Sequence, residues 1–463
     1  GMQSIVEYLG SSSGGRCGYC KQEESSKSSI GVAGYNVSCE HFNQLLDRGW
    51  NRSGRYIYKP IIKETCCPQY TIRLDVHKFY LSRTQKRVLR YMSDFLLHGI
   101  KRKRVLNEES DVMNSKSELK ALKNDEIVGN SVSFADSSCV FPTKDAMGDI
   151  KEAESSEKPK REGGHKKKTM RRERAFRRMR AKGIDVEEVM KKRAENELSR
   201  RRSLESFLLP YDGKKFRHRL EVRLVKLRSQ EFDATLDESF AVYQKYQTTI
   251  HNDHSCSKRG YLNFLANSPL FNDEDSASQK TIELGSYHQQ YVLDDRIIAV
   301  GVVDVLPRCL SSKYFYYDPD FSFLSLGTYA ALREIAFTRE LAKERPHLHY
   351  YYMGYYIDSC PKMRYKGRFR PSDLLCDYSF TWVPLDECVR RLRSTGEKAI
   401  AFAPEQPPPE HVDVGSVYCL FKMSAMPYAV LKSHPEFREK EDFMEEYAQL
   451  VGPVAKEMLL VRT

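Results

Sequence analysis

The sequence predicts a mixed chain of the α+β / α/β class, with a small cysteine-bearing N-terminal unit and a larger C-terminal α/β domain. Three observations carry that reading. The 463 residues exceed what one ordinary core accommodates. Residues 1–100 mix short apolar segments and aromatics with five cysteines, a composition too lean in core to stand without a staple. From Phe207 onward, short apolar runs alternate with one-faced helical spacing, the pattern of an α/β unit.

In chain order, the N-terminal unit gives way at about residue 101 to a stretch rich in Ser, Asp, Glu, Lys and Asn. Residues 101–164 cannot bury enough apolar surface to offset their ordering entropy and are expected to be a disordered linker. Residues 165–205 place Met170, Phe176, Met179 and Met190 among good helix formers, which predicts a basic helix broken at Gly183. The domain at 206–463 opens with a helix over 239–250, whose Phe240, Tyr243, Tyr246 and Ile250 form one stripe. A hairpin follows, with strands at 290–293 and 297–306 around the turn Asp294-Asp295, and then a strand at 313–317. Ser325 is positioned to cap a helix over 326–343 with Tyr329, Leu332, Ile335 and Ala336 inward, and a strand at 349–357 completes the unit. The tail from 397 carries the EQPPPEH loop at 405–411 and one or two helices.

Hairpin, third strand, helix and fourth strand is the order of an acetyltransferase-like (GNAT-like) core, in which the helix start faces an acyl donor. Free N–H groups at such a start can hold phosphate or a carbonyl oxygen. The segment Ser325-Leu326-Gly327-Thr328 has a single glycine, however, and argues against a CoA pyrophosphate loop.

Charge narrows the partners. Between residues 158 and 182 stand thirteen Lys or Arg against two Glu, a surplus of +11 within a net charge of +12. One basic block reads as phosphate contact, nuclear import or a solvated tract. The most apolar run, 297–306, contains Asp304 and falls far short of the roughly 20 residues of a bilayer span, so no membrane partner is expected. The N terminus shows no basic region ahead of an apolar stretch, and a cytoplasmic and nuclear location is expected.

Two constellations carry chemistry. Cys17 and Cys20 form a C-x2-C knuckle, and Cys66-Cys67 stand ahead of Pro68. Four thiolates can enclose Zn²⁺ or hold a [4Fe–4S] cluster; buried thiols are the alternative, and Cys39 is a possible substitute ligand. The run YYYMGYYIDSCPKMRYK at 350–366 joins an aromatic strand to a basic segment. It reads either as one wall for apolar and anionic groups or as a buried strand before a solvated loop. Upstream, Asp318 and Asp320 precede the helix start and Asp304 lies at a strand end, where carboxylates can bind a cation such as a guanidinium.

These segments, together with CGYC, GWNRSGRYIYKP at 49–60, TCCPQYTIR at 65–73, KYQTTIHND at 245–253, VVDVLP at 302–307 and FYYDPDFSFLSLGTYAALREI at 315–335, resemble the eukaryotic arginyl-tRNA protein transferases. The resemblance covers roughly residues 14–75 and 205–395; the charged insert departs from it. It implies transfer of arginine from arginyl-tRNA to the N-terminal α-amine of proteins beginning with Asp, Glu or oxidised Cys, marking them for N-degron proteolysis. On that footing Lys166, Lys167, Lys168, Arg171, Arg172, Arg177 and Arg178 meet the tRNA backbone. Asp304, Asp318 and Asp320 face the arginyl group; Lys362, Arg364 and Lys366 face the acidic first residue of the acceptor; His251 lies near the tRNA 3′ end. Asp318 relays the amine proton, and Tyr355 or the N–H groups of Leu326 and Gly327 point at the oxyanion. An aminoacyl ester is already activated, so neither ATP nor CoA is expected.

Overall fold

The computed structural model describes residues 3–14, 17–20, 26–102, 163–183, 185–199, 202–208, 210–213, 215–274, 280–396 and 399–461. The chain divides into two units, one from residues 1–140 together with 207–463 and the other from 141–206. The expected linker at 101–164 lies almost entirely outside the described residues.

The first unit opens with β1 (Ile5–Ser13), β2 (Ser28–Ser38), α1 (Cys39–Leu46), β3 (Asn51–Ser53), β4 (Tyr56–Pro60), β5 (Tyr70–Asp75) and α2 (Arg83–His98). The smaller unit holds α3 (Gly163–Ala181) and α4 (Val186–Ser199), with Gly183 between them at φ +66°. The first unit resumes with β6 (Leu220–Lys226), α5 (Gln230–Tyr246), β7 (Leu270–Phe271), β8 (Gly285–Leu293), β9 (Arg296–Val305), β10 (Cys309–Tyr317), α6 (Leu326–Glu344) and β11 (Tyr350–Tyr356). It closes with β12 (Asp373–Leu375), β13 (Trp382–Pro384), α7 (Leu385–Thr395), β14 (Tyr418–Phe421), β15 (Ser424–Pro427), α8 (Glu441–Val451) and β16 (Leu459–Leu460).

Two eight-stranded sheets result. One runs β15-β14-β16-β1-β2-β4-β3, with β7 on β2; the other runs β13-β12-β5-β11-β10-β9-β8-β6. The β8–β9 hairpin forms because Asp294 and Asp295 both adopt positive φ, +48° and +66°, the two-residue turn whose twist matches its strands. Along β9, Val300 and Val302 pack with Val242 and Tyr316 on the α5 side, and Gly301 faces Glu334 of α6. Burial on both faces makes the run continuously apolar instead of alternating.

Two expectations from sequence give way. The N-terminal residues are not a separate domain ending near residue 100, because β5 lies between β11 and β12 of the second sheet. The tail beyond residue 397 is more than one or two helices. Its β14, β15 and β16 complete the first sheet, with β16 parallel to β1 at Ile5–Leu459 and Val6–Leu460. Both differences are non-local pairings, to which periodicity within a segment is blind. Ser325 also does not cap α6 with its side chain; it takes the left-handed conformation, φ +52°.

Candidate functional site

β10 and β11 are parallel neighbours for only three residues, Cys309–Tyr350 to Ser311–Tyr352. Beyond them β10 pairs with β9 alone and β11 with β5 alone. The sheet therefore splits toward the carboxyl ends of two parallel strands, the place where open sheets take ligands. Segments carrying the sequence-selected residues leave from those ends: Asp318 and Asp320 after β10, and Lys362, Arg364 and Lys366 after β11.

Glu334 lies at the root of this split. It is 2% exposed, and the Tyr351 hydroxyl donates to its Oε2 at 2.5 Å. Gly301 makes room for it, since a Cβ there would stand 2.8 Å from Oε1. Burial pushes its carboxyl up to about 7 against the opposing hydrogen bonds of Tyr351 and Ser312. Glu334 escapes sequence reading because a charged residue on an amphipathic helix ordinarily marks the solvent face.

Because burial favours the protonated form, the folded chain binds this proton more tightly than the unfolded chain does. Stability from this group is full below about pH 4.5 and is lost as pH rises through about 7. Glu334→Gln is therefore expected to gain on the order of 3 kcal/mol relative to wild type between pH 4.5 and 8. Urea unfolding of both proteins across that range checks it; a constant difference would show an unshifted carboxyl.

The residues selected from sequence fall into distinct settings. Asp318 has a nearly buried side chain, with Lys245 Nζ 2.6 Å from one oxygen and Arg296 Nη2 2.6 Å from the other. Burial opposes ionisation, yet the bonds from Lys245 and the Asp320 amide, with the Arg296 charge, hold its pKa below the usual carboxylate range. Such a carboxylate stays ionised and paired with two cations in this structure. Asp320 is exposed and shares Lys245 at 2.6 Å. Asp304 is not part of an open acidic wall. It is fully buried, with Arg52 forked onto both its oxygens at 2.9 and 2.5 Å and Lys313 3.7 Å away.

The Tyr355 hydroxyl donates to the Gly49 carbonyl at 3.0 Å. Lys366 is turned inward, donating to the Tyr355 carbonyl at 2.8 Å, and burial pushes its pKa down to about 8. Lys362 is exposed, while Arg364 is half-buried and lines a pocket with Tyr365 and Arg368. The His251 ring is half-buried and meets Tyr246 edge-on at 5.1 Å. In the smaller unit, Lys166, Lys167, Lys168, Arg171, Arg172, Arg177 and Arg178 lie on α3. The side chains of Arg171, Arg177 and Arg178 are exposed; those of the other four lie outside the described residues.

Cys17, Cys20, Cys66 and Cys67 converge, with their sulfurs all within 4.8 Å of one another. The adjacent pair manages this because residues 66–67 bend instead of extending. A tetrahedral ion with metal–sulfur bonds of about 2.3 Å separates its sulfurs by roughly 3.8 Å, so the set fits a metal. Cys39 stands apart at the start of α1. Ile357, Cys360 and Met363, from the segment after β11, pack on the cluster. Cys360 was missed as part of this setting because nothing in its own neighbourhood points to a knuckle so distant in sequence.

Comparison with known proteins adds the family. Residues 15–87 match the model described as arginine-tRNA-protein transferase, N terminus, and residues 238–376 match its C-terminus counterpart. The chain is 36% identical to arginyl-tRNA–protein transferase 1 of Drosophila melanogaster over 99% of both chains. It is 34% identical to arginyl-tRNA–protein transferase 2 of Arabidopsis thaliana, covering 83% of this chain and 76% of that relative. An aspartate/glutamate leucyltransferase of Pseudomonas fluorescens is 34% identical over 36% of this chain and 61% of its own length. With the cysteine cluster in the N-terminal match, the split sheet in the C-terminal one and similarity along the whole chain, this chain belongs to the arginyl-tRNA–protein transferase family.

Proposed function

We propose that this enzyme transfers arginine from arginyl-tRNA to the N-terminal α-amine of proteins beginning with Asp, Glu or oxidised Cys, and that the product is an N-degron destined for ubiquitin-dependent degradation in cytoplasm and nucleus. The observation that carries the reading is the split between β10 and β11, with the Glu334 carboxyl, held by the Tyr351 hydroxyl, at its root. Support for an acidic acceptor comes from the leucyltransferase relative, whose name carries aspartate and glutamate. The order of β8, β9, β10, α6 and β11 supports a GNAT-like core.

The chemistry is ester aminolysis. The α-amine, with a pKa of about 7.7 to 8.0, attacks the arginyl carbonyl; the amine loses a proton and the departing 3′ oxygen gains one. Holding the two reactants in place supplies on the order of 7 to 11 kcal/mol. Glu334, ionised in part at neutral pH, is our choice for the proton's holder in place of Asp318. Asp320 remains the acidic group presented to solvent near the donor's guanidinium. His251 is assigned to the neighbourhood of the tRNA 3′ end, and the basic face of α3 to the tRNA backbone, whose contacts weaken as salt rises. Cys17, Cys20, Cys66 and Cys67 take Zn²⁺ as they stand; a [4Fe–4S] cluster, with one thiolate on each iron, requires them to spread. ATP and CoA have no role.

Incubation with arginyl-tRNA labelled in its arginine and a peptide beginning with Asp is expected to label the peptide without added nucleotide or acyl-CoA. An unlabelled peptide under conditions where the tRNA binds would leave an RNA-binding protein without transferase activity.

A further inference from the structure

Gly354 interrupts β11 just past the point where the sheet splits. It takes φ +69° inside a strand, at a bulge between the pairs Tyr352–Arg73 and Tyr355–Thr71, and the parallel pairing with β10 has already ended at Ser311–Tyr352. Tyr351, Tyr352, Met353, Tyr355 and Tyr356 around it are buried, whereas Gly354 is partly exposed. A glycine within a strand marks a place where the chain bends or where another group approaches the backbone closely. The notch left by its missing side chain is bordered by two donors: a Cβ there would stand 3.7 Å from Asn51 Nδ2 and 3.8 Å from Lys366 Nζ.

Both donors are held in place and have hydrogens to spare. Asn51 Oδ1 accepts from Lys313 Nζ at 2.7 Å and from the Arg52 amide at 2.9 Å, which fixes the orientation of the side chain and leaves Nδ2 toward Gly354. Lys313 and Arg52 are in turn held on the buried Asp304. Among the described residues Nδ2 itself makes no hydrogen bond. Lys366 donates to the Tyr355 carbonyl at 2.8 Å and to Met363 Sδ at 3.7 Å, which leaves the third N–H of its ammonium, and among the described residues it pairs with no carboxylate.

We propose that Asn51 Nδ2, beside the Lys366 ammonium, hydrogen-bonds the carbonyl oxygen of the arginyl ester over Gly354 and stabilises the oxyanion which that oxygen becomes. The inference rests on the transferase reading above and deepens it with a catalytic residue supplied by β3 of the first sheet. In the step, the acceptor's amine nitrogen forms a bond to the carbonyl carbon, and the π pair moves onto the oxygen in the notch. Collapse restores the C=O, breaks the bond to the 3′ oxygen, and gives that oxygen the proton the amine sheds. Asn51 neither gains nor loses a proton; a donor already fixed in place costs no reorganisation as charge develops. Location agrees. Successive side chains of a strand point to opposite faces, and on β10 Ser312 reaches Glu334 while Lys313 reaches Asn51. The proton's holder and the oxyanion donor thus flank the split from its two faces. A notch of one side-chain atom, with a neutral amide as one donor, suits a single oxygen; a carboxylate is better met by a charged fork.

The test is a single-turnover measurement on the full chain, with arginyl-tRNA labelled in its arginine and two peptides that differ only in beginning with Asp or Asn. Asn51→Asp keeps both accepted bonds and removes only the donor, so it separates catalysis from support of Lys313. It is expected to slow the chemical step at saturating substrates on the order of 100- to 1,000-fold, alike on both peptides, with the urea midpoint and the KM for arginyl-tRNA nearly unchanged. Asn51→Ala should slow it as much, and Lys366→Gln should slow the same step without altering the Asp-over-Asn ratio. Should one Asn51 variant fold poorly by circular dichroism, the other carries the comparison. An unchanged chemical step in a folded Asn51 variant overturns the proposal, as does a loss confined to KM. A collapse of the Asp-over-Asn preference in the Asn51 or Lys366 variants would give the notch to the acceptor's carboxylate and overturn it too. Failure of the wild-type protein to label either peptide would instead overturn the transferase reading.

Discussion

Asp304→Ala is expected to destabilise the protein by about 3 to 5 kcal/mol, the usual consequence of stripping one partner from a buried ion pair. The carboxylate is fully buried and holds Arg52 through two bonds, Ser286 Oγ at 2.7 Å and the ammonium of Lys313 at 3.7 Å. Without it two buried cations lose their counter-ion. Lys313 has an escape, since burial already pushes its pKa down to about 8 despite the pull of Asp304, and it can shed its proton. Arg52 has none, because a guanidinium stays charged in proteins. The loss also crosses the two sheets. Arg52 sits on β3 of the first and Asp304 on β9 of the second, while Lys313 on β10 donates to Asn51 at 2.7 Å. Asp304→Asn keeps the shape and an acceptor oxygen, and should cost less.

The pH dependence has a definite sign. Burial opposes ionisation of Asp304, but Arg52, Lys313 and Ser286 together hold its pKa below the usual carboxylate value. Its contribution is therefore present above the unfolded pKa of about 3.9 and is lost as pH falls through the folded one. Urea unfolding near pH 7 and below pH 4 should show the wild-type advantage over Asp304→Asn shrinking in acid. If Asp304 instead faced the arginyl group, Asp304→Asn would leave stability intact and change only the selection of the charged tRNA.

What was legible in the sequence is what local pattern records. The hairpin at Asp294-Asp295 was readable because only a few residue types tolerate two positive φ angles in succession. The inward face of α6, including Tyr329, Leu332, Ile335 and Ala336, follows from its helical spacing and is buried. The cysteine set was readable from the C-x2-C spacing and the improbable CC pair. What stayed hidden depends on tertiary neighbours. Nothing within residues 70–75 tells that this strand pairs with β11 and β12. Nothing in the identity of Asp304 or Tyr355 distinguishes a side chain spent on structure from one facing a substrate. Conversely, Glu334 and Asn51 gain their interest from a split and a notch that exist only after folding.

Removing the four converging thiolates should have the widest effect. Cys17→Ser or Cys67→Ser is expected to lower the stability of the N-terminal residues sharply, because a structural metal contributes on the order of 10 kcal/mol in apparent binding free energy. The consequence should reach the segment after β11, the proposed acceptor wall, since Ile357, Cys360 and Met363 pack on the thiolate cluster. Metal loss should therefore raise KM for the peptide and expose 357–368 to limited proteolysis, while on the proposed division of labour, with the basic helix on the tRNA, arginyl-tRNA binding is expected to persist. Elemental analysis and absorption spectra of anaerobically purified protein separate Zn²⁺ from an iron–sulfur cluster. The four sulfurs are close enough to accept a single ion without rearrangement, so a bound cluster would mean that the knuckle opens on loading. A metal-free protein with the same unfolding midpoint and the same peptide KM would show that the cysteines neither staple the fold nor position the acceptor, and that their convergence is only the packing of buried thiols.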